Sequence, residues 1–215
     1  MPYDLSRKAM QIDTQTLSDI KSVCVYCGSG FGDDPVFAET AATLGRLMAE
    51  GGIKLVYGGG NVGLMGTIAQ SVLDHGGYVT GIIPDFLKSR EKLLDDVQET
   101  IVVSDMHTRK RLMFEKADAF VALPGGIGTL EELVEQMTWA QLGRHTKPIL
   151  MLNTKAFWKP LLTLFAHMRD QGFIRPGLEL GYLVAERVDD VLPMLDAFAR
   201  RVGVVRNDAE IEAKF

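Results

Sequence analysis

Short apolar runs alternate with longer amphipathic segments along most of this chain. The apolar runs are nearly continuous, which is typical of strands that are buried on both faces of a parallel sheet. The predicted strands are 22–28, 53–60, 78–84, 100–104, 118–126, 147–153 and 182–186.

Helix signals lie between these runs. Asp34 and Pro35 suit the N-cap and first positions of a helix that ends at Gly51 and Gly52. Further helices are predicted for 62–77, 105–117, 129–143, 157–173 and 188–201. Alternating strands and helices predict an α/β fold, a single doubly wound Rossmann-like domain with a mainly parallel sheet flanked by helices.

The alternating pattern extends over residues 21–202, which we interpret as one nucleotide-binding domain. Residues 1–20 form a polar N-terminal extension without the apolar core of a secretory signal, and residues 203–215 form a polar C-terminal tail. No apolar stretch reaches the roughly 18 residues of a membrane span. We therefore expect a cytoplasmic protein that does not act on membranes.

The net charge is −5, from 23 basic and 28 acidic residues. This balance gives no general attraction to nucleic acid polymers or anionic membranes, although a local basic pocket is compatible with it. A small ligand is therefore the expected partner.

The two cysteines, Cys24 and Cys27, have the spacing of a redox motif but lie in a predicted strand. A redox C-x-x-C pair needs its first thiol at a helix N-terminus. Residues three apart in a strand point to opposite faces of the sheet. We therefore expect two buried thiols that pack as small hydrophobic groups.

The first glycine-rich turn, "GGGNVGLMG", follows the second predicted strand and precedes a helix. Gly58, Gly60 and Gly63 fit G-x-G-x-x-G, with Gly59 between them, and such a turn lets a phosphate approach the backbone at a helix N-terminus. The dinucleotide fingerprint normally belongs to the first strand–helix unit, and no G-K-[ST] follows here. A tight turn that packs the helix closely against the strand is the alternative interpretation.

The second glycine-rich turn, "PGGIGT", follows the fifth predicted strand. Gly125, Gly126 and Gly128 permit a tight turn with inward-pointing amides, and Thr129 is predicted as the N-cap of the next helix. Two such turns in one domain suit a ligand that carries a phosphate, such as a nucleotide.

Glu131 and Glu132 raise a question, because they place carboxylates beside a predicted anion site. Acidic residues in the first turn stabilise a helix through its dipole, typically by about 0.3–1 kcal/mol. As neighbours they leave the helix about 100° apart, so at most one faces the cleft. A carboxylate in the cleft is useful where positive charge develops, as in the cleavage of a glycosidic bond.

A basic cluster lies in "SDMHTRKR", where Asp105 is a predicted N-cap and His107 a helix-start residue. Three consecutive cations, Arg109, Lys110 and Arg111, span more than half of the helix circumference and cannot all serve one site. Arg109 and Lys110 are candidates for contacts with a phosphate or ribose hydroxyls. A solvated helix face is the alternative.

With these motifs in place, the chain resembles the LOG family of cytokinin riboside 5′-monophosphate phosphoribohydrolases, also known by an older lysine decarboxylase-like name. The resemblance extends from about Lys21 to Arg200 through "GGGNVGLMG", "DMHTRK", "ALPGGIGTLEE" and "TWAQLG". It implies hydrolysis of the N-glycosidic bond of an N6-substituted adenosine 5′-monophosphate to a free base and ribose 5-phosphate, with no cofactor.

The resemblance also implies roles for single residues. Arg109 and Glu132 match the catalytic pair of the family. The expected substrate-binding residues, including those of both glycine turns, are Glu91, Lys110, Gly125, Gly126, Ile127, Gly128, Thr129, Leu130, Glu131, Thr138, Gly58, Gly59, Gly60 and Gly63. Family members are homodimers or larger homo-oligomers, and the helix with "MTWAQLG" is an interface candidate.

Other functions remain as alternatives. They are a general AMP nucleosidase, a non-catalytic carrier such as a molybdenum cofactor carrier, and an NAD-dependent oxidoreductase built on the first turn. A lysine decarboxylase is not expected, because no lysine is placed as the Schiff-base residue of a pyridoxal phosphate site. The sequence shows no metal-ligand cluster, so we expect a reaction that is indifferent to chelators.

Overall fold

The computed structural model describes residues 20–88, 94, 96–175, 177 and 180–212, the last ten of them, 203–212, by backbone alone. All but the last residue of the predicted extension, 1–20, therefore lies outside the described residues.

Strands and helices alternate through the described residues. The strands are β1 (Ser22–Tyr26), β2 (Lys54–Tyr57), β3 (Val79–Pro84), β4 (Glu99–Val103), β5 (Ala119–Ala122), β6 (Ile149–Leu152) and β7 (Leu183–Ala185). The α-helices are α1 (Val36–Glu50), α2 (Gly63–Asp74), α3 (Met106–Glu115), α4 (Ile127–Gln141), α5 (Lys159–Asp170) and α6 (Val191–Glu212). Short 3₁₀ turns follow β3, β6 and β7 at Asp85–Leu87, Thr154–Ala156 and Val188–Asp190.

Each predicted strand and helix is present, and the main differences lie at two helix ends. α4 begins at Ile127, before the predicted start at residue 129. α6 continues to Glu212, through the boundary that the sequence placed at residue 202.

The seven strands pair in parallel, in the order β4-β3-β2-β1-β5-β6-β7. The order reverses between β1 and β5, so the connections from these two neighbouring strands run to opposite sides. Ligands of doubly wound sheets bind in the crevice that this reversal creates at the carboxyl ends of the strands. The predicted fold class is confirmed.

The sheet separates two hydrophobic cores, and β1 contributes to both. Val23 and Val25 face the core that α1, α2 and α6 cover, whereas Cys24 and Tyr26 face the core that α3, α4 and α5 cover. Cys27 faces the first core, opposite Cys24, and burial raises the pKa of both free thiols. The prediction of buried thiols on opposite faces is confirmed. Among the described helices, none combines the length and hydropathy that a membrane span needs.

Asp118 fastens β1 to β5 at the amino edge of the sheet. Its Oδ2 accepts hydrogen bonds from the backbone N–H groups of Lys21 and Ser22 and from Ser22 Oγ, each at 2.9 Å. Since these two strands lie at the reversal of strand order, this carboxylate fixes their register at the end opposite the ligand crevice.

We expect Asp118→Ala to lower the free energy of unfolding by about 2 kcal/mol, because hydrogen bonds to charged groups typically contribute about 1.5–3 kcal/mol. Urea denaturation measures the change. The matched control is Asp74→Ala. The Asp74 carboxylate accepts from Gln70 within α2, and its removal is expected to change the free energy of unfolding by no more than about 0.5 kcal/mol. Equal losses in the two variants would contradict the assigned role.

Candidate active site

Three glycine-rich loops meet at the carboxyl edge of the sheet, after β1, β2 and β5. The N–H of Gly28 donates to the carbonyl of Pro124 at 3.1 Å, which joins the loop after β1 to the loop after β5. The N–H of Leu64 donates to the carbonyls of Gly28 and Gly30 at 3.1 and 3.2 Å, which joins the loop after β1 to the start of α2. The loop after β1 is therefore the connection between the two predicted turns.

Beside these loops, Arg109 of α3 and Glu132 of α4 form a buried ion pair. Arg109 Nη1 lies 2.9 Å from Glu132 Oε1, and the two side chains are only 10% and 11% exposed. The structure thus brings together the two residues that the family resemblance implies as a catalytic pair.

Further contacts hold Arg109 in place. Its Nε donates to the carbonyl of Ile82, within β3, at 3.1 Å. A Cβ at Gly58 would overlap Arg109 Nη2, so the glycine after β2 makes room for the guanidinium. Asp105 caps α3 by accepting from the N–H of Thr108 at 2.8 Å and from its hydroxyl at 2.9 Å. The predicted N-cap role of Asp105 is confirmed.

Burial controls the charge of Glu132. Loss of solvation is the largest effect, and it raises the pKa of Glu132. The nearby negative charge of Glu131 also raises this pKa, whereas the positive charges of Arg109 and Lys110 lower it. A carboxyl group with a raised pKa beside a fixed cation is typical of groups that move protons or face a developing charge.

The two neighbouring glutamates point in different directions, as predicted from their spacing. Glu131 is 52% exposed, and its Oε1 lies 2.7 Å from Lys110 Nζ. Lys110 Nζ also lies 2.9 Å from Glu135 Oε1, so an outer group of ion pairs joins α3 to α4 alongside the buried pair. Arg111 turns to Glu115 on its own helix, at 3.1 Å. The three consecutive cations therefore have separate partners.

The start of α4 differs from the prediction. Gly126 is the N-cap, in an extended conformation and without a side-chain cap. The prediction that Thr129 is the N-cap is wrong, because Thr129 lies in the first turn of the helix and is buried. A Cβ at Gly125 would overlap Thr129 Oγ1, so the glycine lets this side chain pack beneath the turn.

The first N–H groups of α4 have no acceptor within the helix. Leu130 makes the first intrahelical bond, from its N–H to the carbonyl of Gly126 at 3.1 Å. The N–H groups of Ile127, Gly128 and Thr129 precede it and lie at the positive end of the helix dipole. This arrangement is suited to an anion.

At the start of α2, by contrast, the first N–H groups donate to a backbone carbonyl of the protein itself. The N–H groups of Leu64 and Met65 donate to the carbonyl of Gly28 at 3.1 and 3.4 Å. Gly63 has φ +60, and a Cβ there would overlap the backbone of Ser29. These contacts match the alternative interpretation of the first turn, in which glycines pack the helix closely against its neighbours.

The remaining predicted binding residues lie at different depths. Ile127 is 82% exposed at the start of α4, and Leu130 packs against the second core. Thr138 is exposed, and its hydroxyl donates to a backbone carbonyl of its own helix at 2.8 Å. Gly59 has φ +83, a conformation that favours glycine. Glu91 lies outside the described residues.

A cavity of about 300 Å³ opens between the loop after β1 and the start of α4. Its lining combines glycine backbone with apolar side chains, from Gly28, Ser29, Gly30, Phe31, Gly32, Phe37, Leu64, Pro124, Gly125, Gly126 and Phe157. The loop 28–32 was not predicted as part of the site. The signal for it was "GSGFG" directly after the first strand, where doubly wound sheets bind phosphates.

The chain matches proteins of known family. The sequence model of a family described as "Possible lysine decarboxylase" matches residues 65–195. A cytokinin riboside 5′-monophosphate phosphoribohydrolase of Arabidopsis thaliana is 49% identical over 162 residues, 75% of this chain and 75% of that protein. A protein of the same description from Rhodococcoides fascians is 42% identical over 185 residues, 86% of this chain and 93% of that protein.

Among solved structures, the molybdenum cofactor binding protein of Rippkaea orientalis matches with a TM-score of 0.61 and 23% sequence identity. The match covers 82% of this chain and 95% of that chain. At this level of identity the likeness establishes a shared fold and nothing about the ligand.

The cap of α3 gives a pH-dependent test. Hydrogen bonds, chiefly from the N–H of Thr108, lower the pKa of Asp105 from 3.8 to about 2. A carboxylate with a depressed pKa stabilises the fold above its unfolded pKa and loses this effect as the pH falls through its folded pKa. We expect the thermal midpoint of Asp105→Ala to be lower than that of the wild type at neutral pH. This difference in midpoint should narrow as the pH falls from about 4 to about 2. Thermal midpoints across this range measure it, and a constant difference would refute the ionised cap.

Proposed function

Since this chain belongs to the LOG family of cytokinin riboside 5′-monophosphate phosphoribohydrolases, we propose that it hydrolyses the N-glycosidic bond of an N6-substituted adenosine 5′-monophosphate. The products are the free base, a cytokinin, and ribose 5-phosphate. The observation that carries the proposal is the buried Arg109–Glu132 pair, close to a helix start suited to an anion.

The reaction exchanges one bond at C1′ of the ribose. The bond to the base nitrogen breaks with its electron pair on the base, and a water oxygen bonds to C1′. One proton of the water ends on the base, and the hydroxyl remains on the sugar. Positive charge develops on the sugar ring in the transition state. Glu132 stabilises this charge or orients the attacking water.

Arg109 is suited to hold the nucleotide in register with Glu132. The guanidinium has five N–H donors. Its Nε–H donates to the carbonyl of Ile82 in β3 and its Nη1 to Glu132, which leaves further donors for sugar or phosphate oxygens. The amides of Gly125 to Thr129, at the start of α4, bind the phosphate in this proposal.

The outer residues complete the proposed site. Lys110 and Glu131 contact the ribose side of the nucleotide, and Thr138 lies on the exposed face of α4. Ile127 at the start of α4 and Leu142 directly after its last residue are 82% and 71% exposed, which supports a homodimer or larger homo-oligomer built on this helix.

We expect Glu132→Gln to lower kcat/KM by about 10²–10⁴-fold, the usual contribution of a positioned acid or base. The neutral amide does not stabilise the charge at C1′ but keeps an oxygen for the Arg109 hydrogen bond. Glutamine is preferable to alanine, which would also remove the hydrogen-bond acceptor of the buried guanidinium. Chromatography of free base and ribose 5-phosphate, with AMP and N6-isopentenyl-AMP as substrates, measures the loss.

The matched control is Glu115→Gln, which removes the same charge from the exposed pair with Arg111 and is expected to leave the rate nearly unchanged. Full activity of Glu132→Gln would remove Glu132 from the mechanism. Nucleotide binding by the wild type without base release would favour a carrier. The ratio of the two substrate rates separates a cytokinin-specific enzyme from a general AMP nucleosidase.

The charges around Glu132 give a prediction for the pH profile. If the carboxylate is the active form, kcat/KM falls at low pH as Glu132 gains a proton, at a pH above the usual 4.5 because its pKa is raised. The Glu131 charge raises this pKa and the Lys110 charge lowers it. Glu131→Gln is therefore expected to move the acidic limb to lower pH, and Lys110→Met to higher pH. Movement in the same direction would contradict this assignment.

A further inference from the structure

The segment between α4 and β6 contacts both helices that carry the buried ion pair. Lys147 Nζ donates to the carbonyl of Phe114, in the last turn of α3, at 2.7 Å. His145 Nε2 lies 3.2 Å from the carbonyl of Gln136, one turn after Glu132 in α4. Residues 145–147, which we call the helix clamp, therefore connect α3 to α4 on the C-terminal side of the ion pair.

The hydrogen bonds of His145 define its tautomer. Its Nδ1 accepts from the backbone N–H of Lys147 at 3.2 Å, so this nitrogen carries no proton. The proton of the neutral ring is on Nε2, which donates it to the carbonyl of Gln136. A protonated imidazole has two donors and no acceptor. The helix clamp is therefore complete only while His145 is neutral.

The surroundings of His145 favour the neutral ring. His145 is 8% exposed, and the rings of Phe114 and Phe120 lie 5.2 and 5.7 Å from its own. Desolvation lowers the pKa of His145 from 6.5, the hydrogen bond to Gln136 opposes this shift, and the Lys147 charge adds to it. Lys147 in turn is influenced by groups on the neighbouring elements, which are Asp118 before β5, Cys24 of β1 and Glu115 of α3.

A column of three aromatic rings leads from the helix clamp toward the ion pair. The rings of Phe114 and Phe120 are nearly parallel, with centroids 6.0 Å apart. Phe120 stacks in the same way on Tyr26, also at 6.0 Å. Burial above all raises the pKa of Tyr26, and the charge of Glu132 adds to this effect, so the column ends near the catalytic carboxylate.

We propose that His145 is a positioning residue, which in its neutral form clamps α3 to α4 and so holds Arg109 and Glu132 in register. The inference rests on the proposed function. Protonation of His145 turns Nδ1 into a donor that faces the N–H of Lys147, and it places a second cation beside the Lys147 ammonium. The helix clamp then loosens, and a misplacement of about 1 Å can cost about 10²-fold in rate.

The Nε–H of Arg109, which donates to Ile82, reports on the ion pair without turnover. We expect its ¹H–¹⁵N NMR signal, identified by its loss in Arg109→Lys, to shift at two midpoints as the pH falls from about 8 to about 5. One midpoint belongs to Glu132, and the other equals the midpoint of the His145 C2 proton, below 6.5.

His145→Asn removes the second midpoint. Its side-chain oxygen replaces Nδ1 as the acceptor for Lys147, and it does not titrate. The Arg109 signal of this variant is expected to follow Glu132 alone. The matched control is His167→Asn on the exposed face of α5, which is expected to keep both midpoints.

The rate of base release gives a second readout. We expect kcat/KM of the wild type to fall at acidic pH more steeply than a single protonation allows, whereas His145→Asn shows a single protonation. Above both midpoints, His145→Phe keeps the ring contacts but loses both hydrogen bonds. We expect it to lower kcat by about tenfold or more and to change KM by less than about threefold, with part of the kcat recovered in His145→Asn.

Three outcomes would overturn the helix clamp. They are an Arg109 signal that does not respond at the His145 midpoint, a His145→Asn variant that keeps both midpoints, and a folded His145→Phe variant with the kcat of the wild type. The wild-type titration decides even where a variant fails to fold. A wild type that shows both midpoints but releases no base from AMP or N6-isopentenyl-AMP would refute the proposed function and leave the helix clamp standing.

Discussion

The buried ion pair between Arg109 and Glu132 sets the positions of segments that are distant in sequence. It joins α3 to α4, and the same guanidinium donates to the carbonyl of Ile82 in β3 and needs the space above Gly58. Such a pair contributes little net stability, because desolvating each ion costs several kcal/mol and apolar replacements are often about 1–4 kcal/mol more stable. Its value lies in electrostatics, since it keeps a desolvated carboxylate fixed before any substrate arrives.

The two glycine turns look alike in sequence but have different surroundings in the fold. Each follows a buried strand and precedes a helix, and both fit a phosphate-binding pattern. At α2 the first free N–H groups, those of Leu64 and Met65, are used by the carbonyl of Gly28. At α4 no such neighbour takes the corresponding groups among the described contacts. A local pattern shows that amides are available, but only the long-range hydrogen bonds decide what they bind.

Local signals therefore predicted the fold better than the site. Hydrophobic runs and the glycines at helix ends identified the strands and helices, because burial and backbone freedom are properties of short segments. The spacing of Glu131 and Glu132 predicted that only one would face inward, which the structure confirms. The start of α4 was misplaced because Gly126, with no side chain to cap the helix, can still take the N-cap position. The loop 28–32 was not identified, because its role depends on strand order, which brings β1 beside β5.

One helix resolves the conflict of a carboxylate beside a phosphate. The free N–H groups begin at Ile127 and the carboxylate lies five residues later, which at 1.5 Å per residue is about 7.5 Å along the axis. At that separation two unit charges repel by about 0.6 kcal/mol in water and about 2 kcal/mol at an effective dielectric constant of 20. The Arg109 charge, 2.9 Å from Glu132, offsets a repulsion of this size. α4 therefore can bind an anion at its first turn and stabilise a cation in its second, which is the charge pattern of a nucleotide whose glycosidic bond is breaking.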